Sequence, residues 1–145
     1  MDKTKANFRA IRERVGLTQK ALANTLGVTV DTVKKWENTK YFAPPDDAWS
    51  YLIDALGRHV EAVQASVGQV DKVIEQTGKP PREVSLPVYR SQAHYDQCGR
   101  DDGDYGVVNA RSREIGALLE ERGIRAQYVY PEPASQWYSA ISRTR

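Results

Sequence analysis

Cys98 is the sole cysteine, which excludes an intrachain disulfide framework and a thiolate cage around a metal, and makes a reducing compartment the natural setting. Histidines are almost as scarce: His59 and His94 stand far apart, and neither belongs to a His-x-x-x-His or Glu-x-x-His pair of the kind that seats zinc. No apolar run approaches the roughly eighteen residues of a membrane span, and Met1-Asp2-Lys3-Thr4-Lys5 lacks the apolar stretch of a signal peptide. A cytoplasmic protein that needs no cofactor and no membrane is the expectation. The polar set His94, Tyr95, Asp96, Cys98, Asp101, Asp102 and Asp104 invites an enzymatic reading. It lacks a nucleophile with an activating base pattern, and its aspartates miss the alternate spacing and closing Glu of a calcium loop, so a solvated loop is the better reading.

Net charge is also small, +2 overall, but it is unevenly spread. Residues 1–45 hold nine Lys or Arg against four acids, which leaves the remainder acidic on balance. A basic first third on a near-neutral whole suits a chain in which one part faces a polyanion and the other does not.

Apolar content of 40% is enough for a modest core, and its periodicity locates the helices. Phe8, Ile11 and Val15 fall on one face of a helix ended by Gly16. Thr18 stands where an N-cap belongs, followed by Ala21, Leu22 and Leu26 on a second short helix stopped by Gly27. Thr29 caps a third, with Val33 and Trp36 facing inward, that runs to about Asn38. Thr39–Pro45 is a loop, because consecutive prolines exclude helix. Asp46 or Asp47 restarts a helix that continues to about Thr77, with Leu52, Leu56, Val60, Val63, Val67, Val70 and Ile74 forming a near-heptad seam. Gly57 and Gly68 mark positions for a break or bend. The far end of the seam needs a partner, either a symmetry mate or the chain's own C-terminal half.

Gly78-Lys79-Pro80-Pro81 punctuates the chain. Val84, Leu86 and Val88 then alternate as in a strand that Pro87 places at an edge, and Ile124, Ala126, Tyr128 and Tyr130 alternate as in a second strand able to pair with it. Cys98–Gly106 reads as a loop and Val107–Arg122 as an amphipathic helix closed by Gly123. After Pro131 only Trp137 and Tyr138 suggest that the tail packs somewhere.

The run from Gly16 to Glu37, with Gln19 opening the second helix, Ala21-Leu22-Ala23 facing in, Leu26-Gly27-Val28 at the turn, Thr29 as cap and Trp36-Glu37 closing, resembles the lambda-repressor-like (Xre) helix-turn-helix family over residues 5–57. That resemblance implies a recognition helix lying in the major groove of double-stranded DNA, with Thr29, Val30, Asp31, Thr32, Lys34 and Lys35 near base edges and phosphates. Lysine can donate to guanine, Val30 can meet a thymine methyl, and Asp31 can accept from cytosine or simply stabilise the first helical turn. Gln19 matches the family position that holds a phosphate and braces the third helix. Lys20, Lys40, Arg12 and Asn38 are candidate phosphate clamps.

Beyond the motif, Trp36-Glu37-Asn38, Pro45-Asp46-Asp47, the long helix, the extended Val88-Tyr89-Arg90 and a terminal amphipathic helix are similar in layout to the anti-CRISPR-associated regulators and their bacterial homologues. This implies a mainly α fold: a four- or five-helix lambda-repressor-like domain at 1–57, a connecting helix at 58–79, and a small α+β dimerisation domain at 80–145. Val60, Val63, Val67, Val70 and Ile74 are the expected dimer seam, since two recognition helices related by a two-fold would read both halves of an inverted repeat. The function so implied is a dimeric repressor, acting on its own gene. The alternative is an antitoxin that binds a toxin partner through its C-terminal half and DNA through the same head.

Overall fold

The computed structural model describes residues 1–133, so the tail that holds Trp137 and Tyr138 lies outside the described residues. The order is α1 (Lys5–Val15), α2 (Gln19–Leu26), α3 (Val30–Glu37), α4 (Asp46–Thr77), β1 (Glu83–Pro87), α5 (Gln92–Cys98), α6 (Tyr105–Glu121) and β2 (Arg125–Val129). Among the described residues the fold is mainly helical with one small sheet, as the sequence indicates.

Threonine starts each of the first three helices. Thr4, Thr18 and Thr29 accept hydrogen bonds from the backbone N–H of Asn7, Ala21 and Thr32, satisfying donors that a helix start leaves without partners. Gly16 and Gly27 end α1 and α2 in the left-handed conformation, with φ of 87° and 69°. Phe8, Leu22, Val33, Trp36, Trp49 and Leu52 share one buried cluster with Ile11, Val15 and Ala48, which closes α1–α3 over the start of α4. Phe8 meets both tryptophan rings edge-on, at 6.0 Å from Trp36 and 5.2 Å from Trp49. This unit is the head.

The body is built on the other half of α4. Val63 and Val67 are buried with Leu86, Ile115, Leu119 and Ile124, while Val70 and Ile74 pack against the same cluster. Of the two partners the seam could have, the structure supplies the chain's own C-terminal half. Val63 and Val67 are therefore buried in the core of their own chain's body, and Val60 is only half-buried. α4 also runs unbroken through Gly57 and Gly68, because packing on the head at one end and on the body at the other offsets the weak propensity of two glycines. Pro45 precedes its first turn without a side-chain cap, and Asp46 and Asp47 supply negative charge there instead.

β1 and β2 pair in parallel, Glu83 opposite Arg125 and Pro87 opposite Val129. A parallel pair needs a crossover, and α5 and α6 provide it. α5 overlaps the stretch read from sequence as polar and irregular. Ser91 caps it by accepting from His94 N–H, and His94 and Tyr95 bury against Tyr89, whose ring lies 4.7 Å from that of Tyr95. The loop that remains is residues 99–104, and α6 begins at Tyr105, where Asp104 accepts from Gly106 N–H.

Head and body are joined by more than α4. The Gly16 and Gly106 backbones touch so closely that a Cβ on either would fall on the other's carbonyl oxygen. Beside this contact Arg14 of α1 donates to Glu114 of α6 at 2.9 Å, and the other oxygen of Glu114 accepts from Nε2 of the fully buried His59. Burial pulls the Glu114 carboxyl up, but the hydrogen bonds from His59 and Arg14 outweigh it and hold the group below the usual glutamate range.

Candidate nucleic-acid interface

α3 rests on two inward side chains, Val33 and Trp36, both buried in the head cluster. Its orientation is then fixed from beneath by polar contacts that converge on its C-terminal end. Arg12 of α1 donates from Nε and Nη2 to the two oxygens of Glu37, at 2.6 and 2.8 Å, and from Nη1 to the Leu17 carbonyl at 2.9 Å. Both members of this pair are nearly solvent-free, with 8% and 4% of their side chains exposed. Bidentate geometry and an extra carbonyl acceptor are what allow such a pair to sit inside a protein. Gln19, at the start of α2, adds a third donor to Glu37 at 3.3 Å. On the other side Lys5 donates to the carbonyls of Lys35, Trp36 and Phe42, neutralising the last turn of α3 and tying down the loop after it.

These contacts correct one expectation and refine another. Arg12 is not a phosphate clamp; its guanidinium is consumed by Glu37 and Leu17 inside the head. Gln19 braces the third helix through the Glu37 carboxylate.

Opposite the core, α3 presents polar side chains. Thr29 and Thr32 pair through their hydroxyls at 2.9 Å at the N-terminus. Asp31 is exposed and pairs with Lys35 one turn on, at 3.1 Å. Lys34 is exposed, and so are Lys20 on α2 and Lys40 in the loop beyond α3. Asn38 ends the helix, its side chain accepting from Lys40 N–H at 3.0 Å, which places Lys40 close to the last turn. Val30 differs from the rest because it is half-buried against the head cluster, so only part of its surface faces outward.

Tyr41 also borders this surface, although no sequence motif points to it. Its ring lies 5.6 Å from Lys35 Nζ, and with Asp31, Lys34, Lys35 and Asn38 it lines a depression of about 210 Å³. Half-exposed Tyr41 and Phe42 thus flank the basic end of α3. Two aromatics in a row immediately after a basic helix were the available signal.

Chemically, the surface offers ammonium groups spread over α2, α3 and the following loop, with hydroxyls and one amide between them. That set donates to phosphate oxygens and to base acceptors. Among the described residues no three His, Cys, Asp or Glu side chains are placed to hold a metal ion, and no helix is long and apolar enough to cross a membrane. No curated protein matches the chain in sequence. Residues 6–65, which span the head and the following turns of α4, match the family described as helix-turn-helix domain, and this supports a DNA-binding regulator.

Proposed function

We propose that the protein is a sequence-specific regulator of the lambda-repressor-like (Xre) kind, which inserts α3 into the major groove and represses transcription, its own gene included. The observation that carries this reading is the two-sidedness of α3: Val33, Trp36 and the Arg12–Glu37 pair hold it from within, while Lys34 and Asp31 stay exposed without. Lys34 and Lys35, with Thr29, Val30, Asp31 and Thr32, face bases and nearby phosphates. Gln19, Lys20, Asn38 and Lys40 hold the backbone and set register. The anti-CRISPR-associated layout, a head at 1–57, the joining helix at 58–79 and an α+β unit from 80 onward, is part of the same proposal.

Repression through an inverted repeat calls for a dimer. With Val63 and Val67 buried in the body core, a second copy docks on exposed apolar surface, which includes Ile53 and Val73 on α4 and Tyr128, Val129 and Tyr130 on and just after β2. The test is binding to duplex DNA from upstream of the chain's own gene, measured against a scrambled duplex across a salt series. A dimer making about 6–10 phosphate contacts loses affinity by roughly 10³–10⁵ between about 50 and 200 mM salt. Equal affinity for both duplexes, or a flat salt response, removes the reading.

A further inference from the structure

A cleft of about 520 Å³ opens between the head and the body, beside the Gly16–Gly106 contact. Its size suits a small-molecule site. Val15 and Leu17 from the head, Tyr51 from α4, and Val107 and Val108 from α6 line it with apolar surface. Arg58 of α4 and Arg111 of α6 line it as well; neither is within ion-pair distance of an acid among the described residues, although the Arg111 charge is felt by Asp101. Arg111 Nε is buried with no hydrogen-bond partner there, a donor left without an acceptor. The acidic rim is mostly engaged: Asp101 accepts from the Tyr95 hydroxyl at 2.5 Å and from Gly103 N–H, and Asp104 caps α6. The Tyr95 hydroxyl first, then the Gly103 N–H and the nearby Arg111 charge, hold the Asp101 carboxyl below its ordinary range against the opposing effect of burial. Asp102 is exposed and has no such partner among the described residues.

We propose that this cleft binds a small zwitterion with an apolar body, the chemistry of an apolar α-amino acid. The arginines receive the carboxylate, Asp102 receives the ammonium group, and the valines and Leu17 cover the side chain. A purely anionic ligand would meet three aspartates, and a purely cationic one two arginines, whereas a molecule carrying both charges meets a complement to each. Because head and body each supply part of the wall, occupancy is coupled to how the head is held; an effect on DNA affinity rests on the function proposed above.

Isothermal titration of the full chain with L-leucine and L-phenylalanine tests the site without any DNA. Benzoate and phenethylamine serve as single-charge controls. Saturable binding of at least one amino acid with Kd below about 1 mM is expected. It weakens at least about tenfold in Arg58→Met and Arg111→Met, and each control binds at least about tenfold more weakly than phenylalanine. Arg113→Met, on the same helix but outside the cleft, leaves binding unchanged. Should Arg111→Met fail to fold by circular dichroism, Arg58→Met, at an exposed position, carries the comparison. Absence of saturable binding by both amino acids, binding indifferent to the arginine substitutions, or benzoate binding as tightly as phenylalanine overturns the proposal. None of these outcomes bears on DNA binding, and a chain that fails to bind DNA leaves this site standing.

Discussion

The head and the body solve the same packing problem with different means. In the head, three capped helices close around two tryptophans and a phenylalanine, and a buried bidentate ion pair stitches α1 to α3. The body has a smaller aliphatic cluster, a two-stranded sheet, and apolar surface still exposed at Val73, Tyr128 and Val129. A unit that holds one helix rigid suits reading a fixed lattice of base edges and phosphates. A unit with an open sheet edge and a shared cleft suits partners and ligands. α4 is common to both, so neither core is independent of the other's anchor.

The contrast can be broken from either side. Phe8→Ala removes the ring between Trp36 and Trp49 and is expected to cost about 4 kcal/mol, whereas Leu119→Ala, which empties the aliphatic cluster, costs about 3 kcal/mol. Denaturant unfolding of both variants measures the difference, and an order reversed by more than about 1 kcal/mol would place the dominant core in the body. Arg12→Met strands the Glu37 carboxylate inside the head and is expected to cost about 3 kcal/mol, much of it restored in the Arg12→Met, Glu37→Met double variant. If the single and double variants were equally unstable, the pair would not be the brace described.

A smaller effect tests the junction. Because the folded-state pKa of Glu114 is lowered, its contribution is fully present above the unfolded value of roughly 4.3 and is lost as pH falls through the folded value. Glu114→Gln should therefore lower stability by about 1 kcal/mol at neutral pH, a figure discounted for partial exposure, and the gap to wild type should narrow in acid. Unfolding curves on either side of that window supply the check; a gap independent of pH would mean that the carboxylate's charge is not what joins head to body.

Local chemistry made the head legible in sequence. Threonine caps, glycine stops and inward Val33 and Trp36 are signals confined to a few neighbouring residues, and the structure has helices where they indicate. What escaped depends on partners far along the chain. Arg12 looked like a surface cation because Glu37 lies 25 residues away. The His59–Glu114 contact spans 55 residues, and nothing near either residue announces it. α5 escapes notice in a polar stretch because a seven-residue helix offers barely two turns of periodicity, and its buried residues are His94 and Tyr95. The valine seam was visible, yet periodicity reports that a stripe is apolar without saying which surface covers it.

The proposed DNA reading requires the exposed side of α3 to meet base edges, and comparing Lys34→Ala with Lys40→Ala tests that most directly. Each variant's affinity is measured for the preferred duplex and for single-base variants of it at one salt concentration. Lys34→Ala should lose about 1–3 kcal/mol on the preferred duplex and flatten discrimination at one base position, while Lys40→Ala should weaken all duplexes about equally. Preserved discrimination in Lys34→Ala, together with a uniform loss matching that of Lys40→Ala, would contradict the placement of α3 in the groove.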